Sequence, residues 1–130
     1  MKKVFVSIVI IILSLFLFSC GNDEPDSNYY VKYEVQAYST QVISEMEVEI
    51  TTENGVEVKH VPATWDGTFG PISKSTPIIL KVSYPGQYYL MNMRFSGRIL
   101  ISKDNTPFVL KAEQHTTNGE AISLIYNIDF

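Results

Sequence analysis

Few residues in this chain are of a type that does chemistry, and they are scattered. Its two histidines, His60 and His115, lie far apart, and neither has a second histidine or a cysteine at ligand spacing. Structural zinc takes four nitrogen or sulfur ligands, and the single cysteine, Cys20, stands in a different region with a different use. No metal and no cofactor are therefore expected. No serine or cysteine nucleophile stands beside a histidine, and G-x-S-x-G, P-loop and H-E-x-x-H motifs do not occur. The residues point away from catalysis and toward binding.

Glu45, Glu47 and Glu49 alternate along the chain, which on a strand puts their carboxylates on one face about 7 Å apart. Calcium needs converging oxygens, which a flat strand does not offer. A solvated face, balanced by Lys59 across a hairpin or by Lys32, is the expectation. Tyr29-Tyr30, Tyr84, Tyr88-Tyr89 and Trp65 could supply an aromatic platform for a sugar ring or a peptide, or they could rim a small core. Adjacent strand residues point to opposite faces, so Tyr30 and one of Tyr88 or Tyr89 should face outward. Arg94 and Arg98 bracket Ser96-Gly97, an expected turn, and there would offer a positive tip to an anionic partner or merely be solvated. The candidate ligand-binding set is Tyr30, Trp65, Tyr88, Arg94 and Arg98, for a protein, peptide or glycan partner.

The elements that must position these residues have period two. Val31, Tyr33, Val35 and Ala37 alternate with Lys32, Glu34 and Gln36, and Met46, Val48 and Ile50 alternate with the glutamates. Each such segment reads as a half-buried strand. Asn54-Gly55 between two such runs predicts a hairpin over 44–61 with a primed turn, because both residues tolerate positive φ. Residues 62–71, with Trp65 and two prolines, read as a bent connection holding a short edge strand at Thr68-Phe69. Pro77 to Tyr84 follows as a strand; 88–95 and 98–102 flank Ser96-Gly97 as a second tight hairpin. Asp104 to Pro107 turns the chain, and 108–113 and 121–130 close it, the last with Ile122, Leu124, Tyr126, Ile128 and Phe130 in alternation. Seven to eight short strands and no helical period in this region predict an all-β, antiparallel, immunoglobulin-like β-sandwich. The likeness is one of architecture, since the Cys…Trp…Cys core of antibody domains is missing; a small barrel is the other way to close such strands. The strand from Ile78 to Tyr84 and the Phe69 segment are the expected edges for strand addition by a partner.

Ahead of this domain the chain changes character. Met1-Lys2-Lys3 is basic, and Val4 to Phe18 is apolar but for Ser7 and Ser14. That run is short of the roughly 20 residues a spanning helix needs and reads as an export signal. Leu17-Phe18-Ser19-Cys20 resembles the bacterial lipobox, which implies thiol diacylglycerylation, cleavage before Cys20 and acylation of the new amine by palmitate-type chains. Two or three acyl chains suffice for stable anchoring. Residues 21–28, with Asp23, Glu24, Pro25 and Asp26 and no apolar side chain, read as a flexible tether. An acidic stretch after the cysteine resembles the surface-export signal of Bacteroidetes lipoproteins. The organisation is a lipoprotein signal peptide at 1–19, a lipidated cysteine and tether at 20–28, and a β-sandwich at 29–130. The expected place is the bacterial outer membrane, on its periplasmic face or at the cell surface. Loss of the signal removes Lys2 and Lys3 and leaves the chain more acidic than its formal charge of −4, so no footprint for nucleic acid exists.

Val31-Lys32-Tyr33-Glu34-Val35, then Val48 to Gly55, then the proline, Trp65 and Phe69 beyond it, form an ordered set over roughly residues 30–101. The set resembles the soluble domain of the MmpS-like family, with Thr51 where that family usually has an aromatic. The resemblance implies a sandwich fold. It also implies the alternative function, a periplasmic accessory subunit of an RND-type envelope exporter, beside that of a binding or adaptor lipoprotein.

Replacing Cys20 by alanine is expected to abolish acyl labelling and to release the protein from alkaline-washed membranes while the domain stays folded. Retention of the variant after the wash would overturn lipid anchoring at Cys20.

Overall fold

The structure, a computed structural model, describes residues 27–40, 42–85 and 92–130. Its strands are β1 (Tyr29–Tyr38), β2 (Met46–Thr52), β3 (Gly55–Val61), β4 (Thr64–Ile72), β5 (Ile78–Ser83), β6 (Arg94–Lys103), β7 (Val109–Thr116) and β8 (Ile122–Tyr126). Alternation explains the central ones: Val31, Tyr33 and Val35 of β1, Val48 and Ile50 of β2, Leu80 and Val82 of β5, and Ile99 and Ile101 of β6 are all buried. The strands form two antiparallel sheets of four, in the orders β4-β1-β6-β7 and β3-β2-β5-β8. The buried side chains form one cluster between them. The protein is thus an antiparallel β-sandwich. Its strand order is its own: an immunoglobulin constant domain pairs the first strand with the second, whereas β1 lies between β4 and β6.

One end of the sandwich is where the chain enters. Asn28 and Asp104 bind each other there, Asn28 N donating to Asp104 Oδ1 at 2.8 Å and Asp104 N to the Asn28 carbonyl at 2.9 Å. The β2–β3 turn, the 73–77 connection and the last residues belong to this tether end. Tyr38, Arg94 and the β7–β8 turn belong to the opposite, distal end, as the pairing of Tyr38 with Arg94 and of Phe95 with Thr116 requires.

Several turns differ from expectation. Ser96-Gly97 is no turn but the interior of β6, Gly97 pairing with Val35 on one side and Gln114 on the other. A glycine is needed there for packing, since a Cβ would lie 3.1 Å from Ile122 Cγ2 and 3.2 Å from Leu80 Cδ2 of the facing sheet. The first hairpin turns at Glu53-Asn54, one residue early; only Gly55 takes positive φ, at 105°, and it pairs with Thr52. Two turns have two positive φ values: Asp104 (48°) and Asn105 (65°), closed by Thr106 N donating to the Lys103 carbonyl at 3.0 Å, and Asn118 (56°) and Gly119 (73°), closed by Glu120 N donating to the Thr117 carbonyl at 3.1 Å. Residues 64–72 are not a bent connection but the edge strand β4. The strand from Ile78 is not an edge at all, because β2 and β8 flank it. The part of the expected 88–95 strand before residue 92, with Tyr88 and Tyr89, lies outside the described residues.

A buried polar contact ties the two sheets together. Tyr33 of β1, fully buried, donates its hydroxyl hydrogen to the Thr51 carbonyl of β2 at 2.7 Å. The Thr51 hydroxyl in turn accepts from Ile79 N and donates to the Pro77 carbonyl, each at 3.0 Å. It thereby extends the β2–β5 pairing beyond Ile50–Leu80, the last backbone pair. Around this contact Phe69 packs on Tyr33 and Trp65 on Phe69, with ring centroids 6.0 and 6.4 Å apart. Lys59 of β3 lies 5.6 Å from the Phe69 ring, so the side between β3 and β4 is closed by aromatics and a cation. On the other side Gln114 accepts from Ser123 N at 2.9 Å, bridging β7 and β8.

Burial raises the Tyr33 pKa well above that of a free phenol, its hydrogen bonds to Thr51 offsetting this only in part. In the unfolded chain the phenol ionises near pH 10. The stability that comes from keeping it neutral is therefore complete below pH 10 and is lost as pH rises above it. Tyr33→Phe is expected to cost about 1–3 kcal/mol at neutral pH, through the orphaned Thr51 carbonyl, and to flatten the alkaline fall. Denaturant unfolding of both proteins at pH 7 and pH 11 checks it; parallel losses would refute it.

Candidate functional site

The outer face of the β4-β1-β6-β7 sheet carries rows of polar residues set by register. Glu34, Arg98 and Glu113 lie abreast on β1, β6 and β7, and Gln36, Ser96 and His115 form the next row. Arg98 Nη1 donates to Glu34 Oε2 at 3.0 Å, and its Nε lies 3.7 Å from Glu113 Oε2. That second distance is beyond a hydrogen bond, so the buried Nε has no hydrogen-bond partner. Lys32 reaches Glu34 at 3.3 Å, and His115 contacts the Glu113 carboxylate. Lys32, Glu34, Arg98 and Glu113 thus alternate in sign and largely neutralise one another. A groove of about 300 Å³ runs along this face, lined by Lys32, Glu34, Gln36, Asp66 and Arg98, with Trp65 at its edge.

The distal end is different. Tyr38, the last residue of β1, is 55% exposed and stands directly across from Arg94, the first residue of β6. The Tyr38 hydroxyl is held by the Gln36 side chain. Among the described residues the Arg94 guanidinium has no hydrogen-bond or ion-pair partner. Tyr38, Arg94 and Thr117 line two adjoining hollows of about 460 and 490 Å³, with Asn92 and Asn118 around the first and His115 beside the second. An aromatic ring, an unpaired guanidinium and several amide and hydroxyl groups are what a polar ligand with one acidic group requires.

No protein-family model matches the chain. No curated protein matches it either. The chemistry of the site therefore rests on its geometry.

The candidate residues read from the sequence do not converge. Cys20 and Tyr88 lie outside the described residues. Tyr30 faces outward, as alternation demands, but at the tether end, beside Gly70. Trp65 is partly buried against the core, closing a sandwich edge. Arg94 and Arg98 do share one face of β6, yet they bracket no turn: Arg98 is committed to two glutamates, while Arg94 has no side-chain partner among the described residues. Among the described residues no three of His, Cys, Asp and Glu are grouped to hold a metal. Of the three glutamates, Glu45, just before β2, contacts His60 at 2.8 Å and Glu49 lies 3.5 Å from Lys81, not Lys59 or Lys32, while Glu47 has no ion-pair partner among the described residues. Lys59 is held instead by Glu57, and Lys32 by Glu34. Sequence reasoning missed Tyr38 and His115 as site residues. Tyr38 carried a signal, an aromatic that ends an alternating strand just before Ser39-Thr40.

Arg98→Gln is expected to destabilise the domain by no more than about 1 kcal/mol at low salt, since half-exposed ion pairs are weak, and by less in 1 M salt. Urea unfolding at the two ionic strengths measures this; a loss that salt leaves unchanged would show a packing role instead.

Proposed function

We infer that the protein is a non-enzymatic, lipid-anchored component of the bacterial cell envelope whose β-sandwich is a binding or adaptor module for a glycan, peptide or protein. The observation that carries this reading is the Arg94 guanidinium, without a partner among the described residues, across from the exposed Tyr38 at the end of the sandwich remote from Asn28. The lipobox-like Leu17-Phe18-Ser19-Cys20 and the acidic segment after it support anchoring in the outer membrane, with the domain projected from the lipid.

The pairing of groups narrows the ligand class. A pyranose or peptide group can stack on Tyr38 while a carboxylate or sulfate takes the fork of Arg94 in a bidentate contact. The surrounding Thr117, Asn92 and Asn118 add hydrogen-bonding groups for hydroxyls or amides. Acidic saccharides and acidic peptides fit; neutral saccharides would leave Arg94 unused. Arg98 is already taken by Glu34 and Glu113 and does not line this end.

The test is a binding screen of the lipoprotein in detergent against acidic and neutral oligosaccharides and acidic peptides. Arg94→Ala and Tyr38→Ala are each expected to weaken acidic-ligand binding about tenfold or more while thermal unfolding stays within ~0.5 kcal/mol of the parent, both side chains being exposed. Equal binding by parent and both variants would overturn the distal site.

A further inference from the structure

Tyr38, which ends β1, and Val42, between β1 and β2, toward the distal end, and Val58 in the middle of β3 are exposed singly, but the other exposed large apolar side chains gather at one end. Val56, Phe108, Val109, Leu110, Ile125 and Phe130 are exposed, Ile125 to 65%. Register puts them all at or near the tether end. Val109 pairs with Ile101 at the start of β7, Val56 with Thr51 at the start of β3, and Ile125 with Ile79 near the start of β5. Phe130 stacks near Tyr29, the first residue of β1, at 6.1 Å between ring centroids. These residues surround the point at which the chain leaves toward Cys20.

The charges at this end are sorted as well. Its carboxylates are engaged within the domain: Glu53 by Gly70 N at 3.2 Å, Asp104 by Asn28 N at 2.8 Å, and Asp129 by Lys111 at 3.3 Å and by the Tyr126 hydroxyl. The hydroxyl contact, with Lys111 adding to it, holds Asp129 below the usual carboxylate range and so ionised. The ammonium groups are less committed. Lys74 donates one hydrogen bond, to the Phe130 backbone oxygen at 2.7 Å, with no side-chain carboxylate beside it, and Lys103 has no side-chain partner among the described residues. Apolar side chains with available lysines beside them are the make-up of a surface that lies in a lipid interface.

We propose that the tether end of the sandwich, through Phe108, Val109, Leu110, Ile125 and Phe130 with Lys74 and Lys103, seats on the phospholipid surface in which Cys20 is anchored. The proposal rests on the lipoprotein reading. The chain from Cys20 to Tyr29 can span at most roughly 30 Å even when fully extended, at ~3.3–3.6 Å per residue, so this end is never far from the bilayer. Such tethering gives a high effective concentration, and a contact too weak to bind membranes alone becomes populated. Seating fixes orientation: the tether end faces lipid and the hollow at Tyr38 and Arg94 faces away.

The experiment uses the full-length lipoprotein reconstituted into vesicles of phosphatidylethanolamine and phosphatidylglycerol. Lipid caps Cys20, so a cysteine introduced by Phe108→Cys, or by Tyr38→Cys as the distal control, is the one free thiol for an environment-sensitive fluorophore. Seating predicts blue-shifted emission at position 108, with quenching by brominated lipid at least twofold stronger than at position 38. It also predicts weaker quenching at 108 when Lys74 and Lys103 are both changed to glutamine. Water-like emission at both positions in protein that co-sediments with the vesicles overturns seating and leaves the anchor intact. Failure to co-sediment overturns the anchor and the proposal with it. Shielding at 108 in native envelopes but not in vesicles overturns the lipid as occupant in favour of a protein partner. Should Phe108→Cys not fold, Val56→Cys reports on the same end.

Discussion

The Tyr33 hydroxyl crosses from one sheet to the Thr51 carbonyl of the other inside an otherwise apolar core, and much of the domain is arranged around that contact. A buried backbone carbonyl without a partner costs more than a made hydrogen bond returns, so the phenol has one acceptable position. That fixes β1 against β2. Thr51 passes the constraint on through its own hydroxyl, which takes the place of backbone pairing where β5 begins. Phe69 and Trp65 then pack in sequence from the Tyr33 ring toward the open edge. A threonine suits this junction, because a small side chain with a hydroxyl both donates to the Pro77 carbonyl and accepts from Ile79 N there.

With the inner face of β1 fixed, its outer face is fixed too, one residue out of phase. Glu34, Gln36 and Tyr38 therefore face the same side as Ser96, Arg98 and Arg94. In the middle of that face Glu34, Arg98 and Glu113 answer one another, while at its distal end the Arg94 guanidinium has no partner among the described residues and the Tyr38 ring is exposed. A protein that spends its carboxylates on Arg98 yet leaves Arg94 open has a difference along one strand that packing does not explain. The proposed binding site would account for it. The two ends of the domain also differ, the distal one polar and hollowed, the one at which β1 begins richer in exposed apolar side chains, as the proposed anchoring at one end and binding at the other would require.

The antiparallel sandwich and the buried face of nearly every strand were legible in the sequence, because period-two alternation in β1, β2, β5, β6 and β8 is a direct trace of one wet and one dry face. Turns were less legible. Asn54-Gly55 carries the local preference for a primed turn, but the sheet register moves the turn to Glu53-Asn54. Ser96-Gly97 looks like a turn and is a strand interior, since glycine serves a close approach between sheets as readily as a positive φ. The candidate site was half legible: Arg94 stood out by its charge, whereas Tyr38 and His115 became relevant only through residues distant in the chain.

By itself, then, the sequence determined the fold class, the inward side chains, the acidic character and the lipobox-like leader, all of which are local matters of period, composition and short motif. Strand order was decided by tertiary structure. So were the edges, the commitment of Arg98 to Glu34 and Glu113, the isolation of Arg94 opposite Tyr38, and the gathering of exposed apolar residues around the tether. The reason is physical: alternation says which face of a strand is buried and nothing about which strand lies beside it. Neighbours are chosen by cross-sheet packing and by a few buried hydrogen bonds, of which the one from Tyr33 to Thr51 joins residues on different sheets.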